Sequence, residues 1–200
     1  MHFTHLDNMR RILADGGLYS DALVGDRLRA EVGDRDIKAA RRRHVVTCEP
    51  GGHPADYVPF YFAPQSPMLY RIARGGVAHY QDGQTPLVYL VTTVDGVCRA
   101  GLQWVFSNGN CGAPTTEYFN DPRRLDTAVD WELQQVDVMW NNTADDPNRA
   151  TRRAAEFLVH RHVPWSVIRW LAARTPATAT TVQDILDEAG SSQRVFVRPK

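Results

Sequence analysis

The chain has 200 residues, 43% hydrophobic and 10% aromatic, which is enough to bury one substantial core, so we expect a single domain over residues 1–200. Lys plus Arg and Asp plus Glu each number 23, which excludes a uniformly basic surface and means that any nucleic-acid site must come from a local cluster. Three cysteines without a CxxC pair argue against a disulfide framework, and no apolar run approaches the ~20 residues of a membrane span, so we expect a soluble, cytoplasmic protein.

The N-terminal residues predict a short strand followed by a helix. The strand is expected at His2–His5, and the helix begins at Asp7 and ends at the glycine pair 16–17. One face of this helix carries its apolar residues, which are Met9, Ile12 and Leu13.

Residues 26–43 are polar and rich in arginine, with helical propensity but few apolar positions. Their basic side chains are densest at the end, in Arg41, Arg42 and Arg43. The stretch is therefore either the local basic patch that a nucleic-acid site would need or the solvated face of a surface helix.

The segment Asp56–Tyr70, DYVPFYFAPQSPMLY, mixes aromatic residues and prolines densely. Alternating aromatic and small residues favour a strand over 57–63, and Ser66 followed by Pro67 is typical of a helix N-cap with proline at the first helical position. A strand that runs directly into a helix start presents backbone N–H groups beside aromatic faces, which suits a ligand with rings and phosphates. The alternative is a core strand that ends in an ordinary cap.

Apolar runs and turn signals predict the remaining elements. Strands are expected at residues 57–63, 87–92, 104–107, 156–160 and 194–198. Helices are expected at residues 67–74, 121–129, 147–153 and 181–189. Because no strand–helix–strand rhythm recurs, we expect an α+β fold with mixed or antiparallel sheets and peripheral helices.

The segment Asp145–His160, DDPNRATRRAAEFLVH, places a carboxylate where a polar helix meets a core strand. Asp146 and Pro147 are expected to cap the helix, and the apolar run 157–159 predicts a buried strand. Glu156 at the start of that strand could point into a cleft, where nearby arginines would position an anionic substrate. The alternative is a surface glutamate that begins a strand.

Taken together, these segments resemble the DarT family of NAD-dependent DNA ADP-ribosyltransferase toxins. The resemblance covers nearly the whole chain and consists of several motifs in the family's order. These motifs are HFTHLDN at 2–8, the arginines 41–43, DYVPFYFAPQSPMLY, WVFSNGN at 104–110, DDPNR at 145–149 and RRAAEFLV with Glu156.

The resemblance implies an ADP-ribosyltransferase-like α+β core with NAD in a cleft between two sheets, and no metal. It implies that NAD is bound by residues of the first and third motifs and by an arginine, which are His2, Thr4, Asn8, Arg41, Tyr61, Ser66 and Met68. Glu156 matches the catalytic glutamate, and Arg41 matches an arginine implicated in activity, although three consecutive arginines leave its register open by one residue.

The acceptor that the resemblance implies is a base in single-stranded DNA, because a base stacked in a duplex could not reach the bottom of a cleft. The residues expected to contact DNA are Asn110, Arg149, Arg152 and Arg153, and Tyr118 or Trp140 could stack on bases. Family members modify thymidine or guanosine, and some carry histidine at the Asn110 position. The match through SNGN and DDPNRATRRAAE favours thymidine, with guanosine as the alternative.

The resemblance also implies a partner, the antitoxin DarG, whose macrodomain removes ADP-ribose from DNA. Two further classes of function stay open: a transferase of the same superfamily that acts on RNA, protein or water, and a non-catalytic domain that binds single strands. A metal centre is not expected, because His2 and His5 would point to opposite faces of one strand, and His160 and His162 have no third ligand nearby in sequence.

Overall fold

The part of the chain that the structure describes forms two four-stranded sheets and a two-stranded ribbon, with short helices around them. A computed structural model describes residues 1–136 and 140–199, except the side chain of Asp26. Within these residues the strands are β1 (His2–His5), β2 (Gly17–Tyr19), β3 (Tyr57–Tyr61), β4 (Leu87–Val91), β5 (Trp104–Ser107), β6 (Tyr118–Phe119), β7 (Glu156–His160), β8 (His162–Pro164), β9 (Trp170–Ala173) and β10 (Val195–Val197). The helices are α1 (Met9–Ala14), α2 (Asp21–Val24), α3 (Arg35–Arg41), α4 (Pro67–Ala73), α5 (Val94–Arg99), α6 (Leu125–Ala128), α7 (Trp131–Gln135), α8 (Arg149–Arg153) and α9 (Pro176–Glu188).

The first sheet has the strand order β1-β4-β9-β10, and the second has the order β3-β7-β5-β6. β2 and β8 form the separate ribbon. The described pairs are antiparallel except β9 with β10, which is parallel. The expectation of an α+β fold with mixed or antiparallel sheets is confirmed.

The second sheet is built around β7, whose residues 156–159 are all buried. Its apolar run Phe157–Val159 fits this position, because a strand covered on both faces needs apolar side chains in succession and not in alternation. β3 lies at the edge of the sheet, where Pro59 is tolerated because an edge strand can lack one backbone donor. In the register of β3 and β7, Tyr61 stands opposite Glu156.

The main hydrophobic cluster joins the two four-stranded sheets. Val88 and Leu90 of the first sheet belong to it together with Phe60 and Phe157 of the second, and Val182 of α9 packs into the same cluster. A smaller cluster lies between β1 and α4, where Phe3 meets Met68, Leu69 and Ile72. The start of β1 and the start of α4 are therefore held together by packing, and both positions face the site described below.

Helix starts follow the sequence signals. The Ser66 hydroxyl oxygen accepts from the backbone N–H of Leu69 at 3.3 Å, and Pro67 is the first residue of α4, as predicted. Thr175 and Pro176 begin α9 in the same manner. Such a cap contributes about 1 kcal/mol to helix stability.

Most predicted elements are confirmed, with shifts at their ends. β5 and β7 have the expected bounds, whereas the strands expected at 57–63, 87–92 and 194–198 run over 57–61, 87–91 and 195–197. The helix expected at 67–74 ends at 73, and the one expected at 121–129 is a 3-10 turn at 122–124 followed by α6. α9 begins five residues before the expected 181.

One expectation about local structure was wrong, and two others were incomplete. Asp146 and Pro147 do not begin a helix: α8 starts at Arg149, and the Asp146 carboxylate accepts from Arg152 instead. The arginine-rich stretch 26–43 is helical mainly at Arg35–Arg41. Strands β2, β6, β8 and β9 were not predicted, because each is short. The partners of β2, β8 and β9 are also distant in sequence, whereas β6 is only two residues long.

Candidate functional site

A cavity of about 190 Å³ lies where β1, β3 and the start of α4 meet the segment that runs from β2 to α3. Six of the seven side chains expected to bind NAD line it, namely His2, Thr4, Asn8, Arg41, Tyr61 and Met68. The seventh, Ser66, is fully buried and does not line the cavity, and its oxygen caps α4. The expected contact from Ser66 is therefore corrected to an indirect role, in which Ser66 fixes the helix start that carries Met68.

Arg41, which lines the cavity, forms a buried ion pair with Glu156, which does not itself line the cavity. Nη1 of Arg41 donates to both carboxylate oxygens of Glu156, at 2.9 and 2.7 Å, and Nη2 donates to the Pro54 carbonyl at 3.2 Å. Glu156 is 2% exposed and Arg41 is 9% exposed. The two residues are 115 positions apart in sequence. Of the three consecutive arginines, Arg41 is the one at this site, since Arg42 and Arg43 are exposed.

The low-dielectric surroundings set the charges near this pair. Burial is the largest single influence and lowers the pKa of Arg41, but the charge of Glu156, the hydrogen bonds to it and the neighbouring Cys111 and Tyr61 together outweigh burial. The pKa of Arg41 is therefore raised and its guanidinium stays protonated. Burial and the charge of Glu156 raise the pKa of the Tyr61 hydroxyl and raise the pKa of the Cys111 thiol to about 12. Tyr61 and Cys111 are therefore neutral near pH 7, and Cys111 is not an activated nucleophile.

His2 presents a neutral imidazole to the cavity. Its Nδ1 is 2.9 Å from the Pro59 carbonyl oxygen, so Nδ1–H donates and Nε2 keeps its lone pair. Burial lowers the pKa of His2 to about 4, and the hydrogen bond to Pro59 opposes this only in part. His2 can therefore accept a hydrogen bond from a ligand hydroxyl or amide group across the neutral pH range.

Asn8 holds in place the cavity wall that contains Ala30. Its Nδ2 donates to the Thr4 hydroxyl at 3.0 Å and to the Ala30 carbonyl at 2.8 Å. Its Oδ1 accepts from the backbone N–H groups of Arg29, at 2.8 Å, and Ala30, at 3.1 Å. Because these four bonds use the amide fully and Asn8 is 1% exposed, its role is to position the 29–30 segment against β1.

Tyr61 and Met68 supply the apolar part of the cavity. The Tyr61 ring stacks on Phe3 with centroids 6.1 Å apart and planes 11° from parallel. Met68 is 9% exposed and packs with Phe3 in the smaller cluster. The cavity lining thus includes an aromatic face and a thioether, which suit a flat ring.

Ser107 is a residue of this site that sequence reasoning missed. Its hydroxyl oxygen accepts from the Glu156 backbone N–H at 3.1 Å and donates to the Gly109 carbonyl at 2.7 Å. The hydroxyl thus joins the strand that carries Glu156 to the loop that carries Asn110. Its position inside the SNGN motif was the available signal.

Asn110 lies in a loop held against α8, close to the ion pair. Its backbone N–H donates to the Thr151 carbonyl at 2.9 Å, and its side-chain oxygen accepts from the Gly112 N–H at 2.9 Å. The loop also approaches α3, because a Cβ on Gly112 would stand 3.7 Å from the Cβ of Ala40, next to Arg41. Asn110 is thus placed at the same end of the site as Glu156.

The three arginines of α8 have different environments. Arg153 is fully buried and donates to the backbone carbonyls of Gln65 and Leu133, so its expected contact with DNA is corrected to a structural role. Arg152 is half-buried and pairs with Asp130 and, through two nitrogens, with Asp146. Nη1 of Arg149 lies 3.9 Å from Asp146. Charges on Arg149 and Arg152 are thus partly offset by carboxylates.

The two aromatic residues suggested for base stacking, Tyr118 and Trp140, also have different environments. Tyr118 is buried, and its hydroxyl donates to the Cys111 carbonyl at 3.4 Å, so its ring is not available for stacking. Trp140 is half-buried and meets Tyr70 edge-on, with ring centroids 5.5 Å apart.

Among the residues that the structure describes, no group of three His, Cys, Asp or Glu side chains could hold a metal ion. Nor does any described helix have the length and apolar character required to cross a bilayer.

Comparison with known proteins identifies the family. The family model described as "ssDNA thymidine ADP-ribosyltransferase, DarT" matches residues 1–200. A DNA ADP-ribosyl transferase of Mycobacterium tuberculosis is 37% identical over 201 residues, which cover 99% of this chain and 86% of that protein. One from Thermus sp. is 35% identical over 193 residues, covering 96% of this chain and 89% of the relative.

Solved structures agree with the sequence comparison. The Thermus sp. 2.9 DarT in complex with ADP-ribosylated ssDNA superposes with a TM-score of 0.91 at 34% identity, covering 99% of this chain and 92% of that chain. The same protein in complex with NAD+ gives a TM-score of 0.88 at 34% identity, with 99% and 93% covered. This chain belongs to the DarT family of single-stranded DNA thymidine ADP-ribosyltransferases.

Proposed function

We propose that this protein transfers ADP-ribose from NAD to thymidine in single-stranded DNA and releases nicotinamide. The observation that carries the proposal is the buried Arg41–Glu156 pair, whose Arg41 lines a cavity together with His2, Thr4 and Tyr61. One relative that matches over nearly the whole chain was solved with NAD+ and, separately, with ADP-ribosylated ssDNA, which supports both substrates.

Glu156 is assigned two tasks in the reaction. The bond between the nicotinamide nitrogen and the ribose anomeric carbon breaks, its electron pair leaves with nicotinamide, and positive charge develops on the ribose. A carboxylate close to a ribose hydroxyl stabilises that charge. A nitrogen of the base then forms the new bond to the anomeric carbon, and Glu156 accepts the proton that this nitrogen loses.

Arg41 is assigned an electrostatic and positioning role. A guanidinium whose pKa is raised by a neighbouring carboxylate does not act as a base. Its bonds to both oxygens of Glu156 and to Pro54 hold the carboxylate in one orientation. The remaining guanidinium surface, which lines the cavity, can stabilise an NAD phosphate or negative charge that develops on the base.

The chemistry of the cavity walls supports the assignment of NAD to this cavity. The neutral His2 ring and the Thr4 hydroxyl are assigned to the ribose and the nicotinamide amide, and the Tyr61 ring is assigned to the nicotinamide face. The cavity of about 190 Å³ is smaller than the roughly 300–1,000 Å³ typical of small-molecule sites. We therefore infer that the wall formed by residues 28–38, where Lys38 pairs with Asp21 and Glu31, moves outward when the dinucleotide binds.

Asn110 and Arg149 are the residues assigned to the DNA near the reacting base. Asn110 stands at the Glu156 end of the site, and an amide can recognise a base edge through paired hydrogen bonds. Arg149 could approach a backbone phosphate from α8. Arg152, whose guanidinium already binds two aspartates, would support this loop in preference to contacting DNA.

The test is to incubate the protein with NAD and thymidine-containing single-stranded oligonucleotides and to follow the DNA by mass spectrometry. The expected product is heavier by one ADP-ribose, with the label on thymidine after fragmentation, and a DarG-type macrodomain hydrolase, the partner we propose, should restore the original mass. A label on guanosine would reassign the base. Released nicotinamide with unmodified DNA would point to another acceptor, and no turnover would favour a non-catalytic domain.

Asn8→Ala is expected to raise the KM for NAD about tenfold or more and to change kcat less. The variant leaves the N–H groups of Arg29 and Ala30 without their acceptor, each at a cost of about 1–3 kcal/mol if they stay buried, so the wall loosens in the free protein. Steady-state kinetics and calorimetric NAD binding measure the effect. Asn120→Ala, on an exposed loop, is the control, and an unchanged NAD affinity in Asn8→Ala would contradict the positioning role.

A further inference from the structure

A second cavity, of about 990 Å³, lies on one face of the first sheet, outside the NAD cavity. Its floor and walls are unusually aromatic, and the rings that line it belong to Tyr70, Tyr89, Trp140, Trp170 and Phe196. We call this cavity the aromatic groove. Tyr70, Trp170 and Phe196 are 49%, 42% and 48% exposed, which is high for large aromatic side chains. A cluster of exposed aromatic rings is typical of a binding surface.

Strand register explains why these rings share one face. Val91 pairs with Trp170, and Ala172 pairs with both Tyr89 and Phe196. Paired residues on neighbouring strands project to the same side of a sheet, so Tyr89, Trp170 and Phe196 form a row across β4, β9 and β10. The other face of this sheet is covered by α9, whose Val182 belongs to the same cluster as Val88, Leu90 and Leu171. The aromatic groove is the uncovered face.

The groove is basic although the whole chain has no net charge. Arg174 and Arg198 line it and are exposed, and the described residues that line it include no Asp or Glu. Arg174 donates to the Gln84 amide oxygen at 2.6 Å, and among the described residues neither arginine takes part in an ion pair. Arg169 lies over the Trp170 ring at 5.6 Å and Arg74 over the Tyr70 ring at 5.7 Å, which adds two positive charges beside the rings.

The groove and the NAD cavity flank the same stretch of chain. Met68 lines the NAD cavity, whereas its neighbour Leu69, together with Pro64 and Gln65, lines the groove. Met1 also lines the groove, and its carbonyl accepts from the Tyr61 N–H at 2.8 Å, where Tyr61 stands opposite Glu156. A strand lying in the groove would thus pass close to the reacting centre without occupying the NAD cavity.

We propose that the aromatic groove binds the nucleotides that flank the target base of the single-stranded DNA substrate, an inference that rests on the proposed function. Bases stack on Trp170, Phe196 and Tyr70, and phosphates bind Arg174 and Arg198. Proteins that bind single-stranded nucleic acids commonly combine aromatic rings with arginines. Every base has a face that can stack on a ring, and every phosphodiester linkage carries a negative charge. A duplex cannot use such a surface, since its bases are not exposed.

The proposal is tested by the affinity of a fluorescent thymidine-rich oligonucleotide, measured by anisotropy without NAD. Trp170→Ala should weaken binding at least about tenfold, since stacking on one ring is worth ~1–3 kcal/mol. Arg174→Glu with Arg198→Glu should weaken binding by at least as much and should reduce the salt dependence of the affinity. The matched control is Arg10→Glu with Arg99→Glu, two exposed arginines outside the groove that undergo the same change of charge.

The outcomes separate this proposal from the proposed function. Weaker DNA binding in both groove variants, with calorimetric NAD affinity and thermal stability unchanged, supports the groove even if the wild type modifies no DNA. If the charge-reversal variant binds DNA as tightly as the control variant does, the proposal that the groove binds DNA is overturned, whether or not the wild type modifies DNA. That result would indicate that this face binds a protein instead. If Trp170→Ala does not fold, the charge-reversal variant decides alone.

Discussion

Glu156→Gln is expected to lower the rate of DNA ADP-ribosylation by roughly a thousandfold or more. Glutamine keeps the shape of the side chain but removes the negative charge that stabilises the developing positive ribose, and it cannot accept the proton from the base. Loss of one such electrostatic contact costs about 3–4 kcal/mol in transition-state free energy, and loss of the general base adds to it. Single-turnover rates with saturating NAD and oligonucleotide, followed by mass spectrometry, measure the loss.

The control for this prediction is Glu117→Gln, which neutralises an exposed glutamate that accepts a hydrogen bond from Asn108 in the loop after β5. It should retain nearly full activity. NAD affinity of the Glu156→Gln protein should fall far less than its rate, because the carboxylate acts mainly in the transition state. A rate within tenfold of the wild type would remove Glu156 from the catalytic role and would require another carboxylate at the site.

Arg41→Ala is expected to abolish detectable transfer and to lower the free energy of unfolding by about 3–5 kcal/mol. It leaves the Glu156 carboxylate 2% exposed with no cation to offset its charge, and it removes the donor to the Pro54 carbonyl. For a chain of this size that loss corresponds to a fall in Tm of roughly 6–20 °C. Calorimetry or thermal denaturation followed by circular dichroism measures it.

The neighbouring arginines provide the matched control. Arg42→Ala and Arg43→Ala remove the same charge from exposed positions, so both should change Tm by a few degrees at most. A double-mutant cycle with Arg41→Ala and Glu156→Ala should show that the double variant is more stable than the sum of the single changes predicts, because no buried charge is then left alone. Additive losses would mean that the two side chains do not interact in solution.

Local features of the fold could be predicted from the sequence. Ser66 and Pro67 predict the start of α4 because a helix cap depends on a few adjacent residues. The run Phe157–Val159 predicts a buried strand because consecutive apolar side chains would be unfavourable on a strand that faces solvent. The start of α9 carried the same type of signal in Thr175 and Pro176 but was not recognised. β8 and β9 could not be located in this way, since their short segments become strands only through partners far along the chain.

The candidate site residues also came from the sequence, through motifs in the family's order, but the contacts that each of them makes did not. Arg152 and Arg153 look alike in sequence, yet one binds two aspartates near the surface and the other is buried against backbone carbonyls, because neighbouring helix positions face different surroundings. The roles of Ser107 and Asn8 depend on segments that only the fold brings close to them, the start of β7 for Ser107 and the 29–30 segment for Asn8.

The sequence by itself determined the family, the candidate residues and the elements with strong local signals, because caps, apolar runs and motifs are properties of short stretches of chain. Only the tertiary structure decided that Arg41, at the end of α3, meets Glu156, at the start of β7, across 115 residues. It also decided that the aromatic residues of β4, β9 and β10 form one row. Such pairings depend on sheet register and on the energy of burying charge, and neither is recorded in any local pattern.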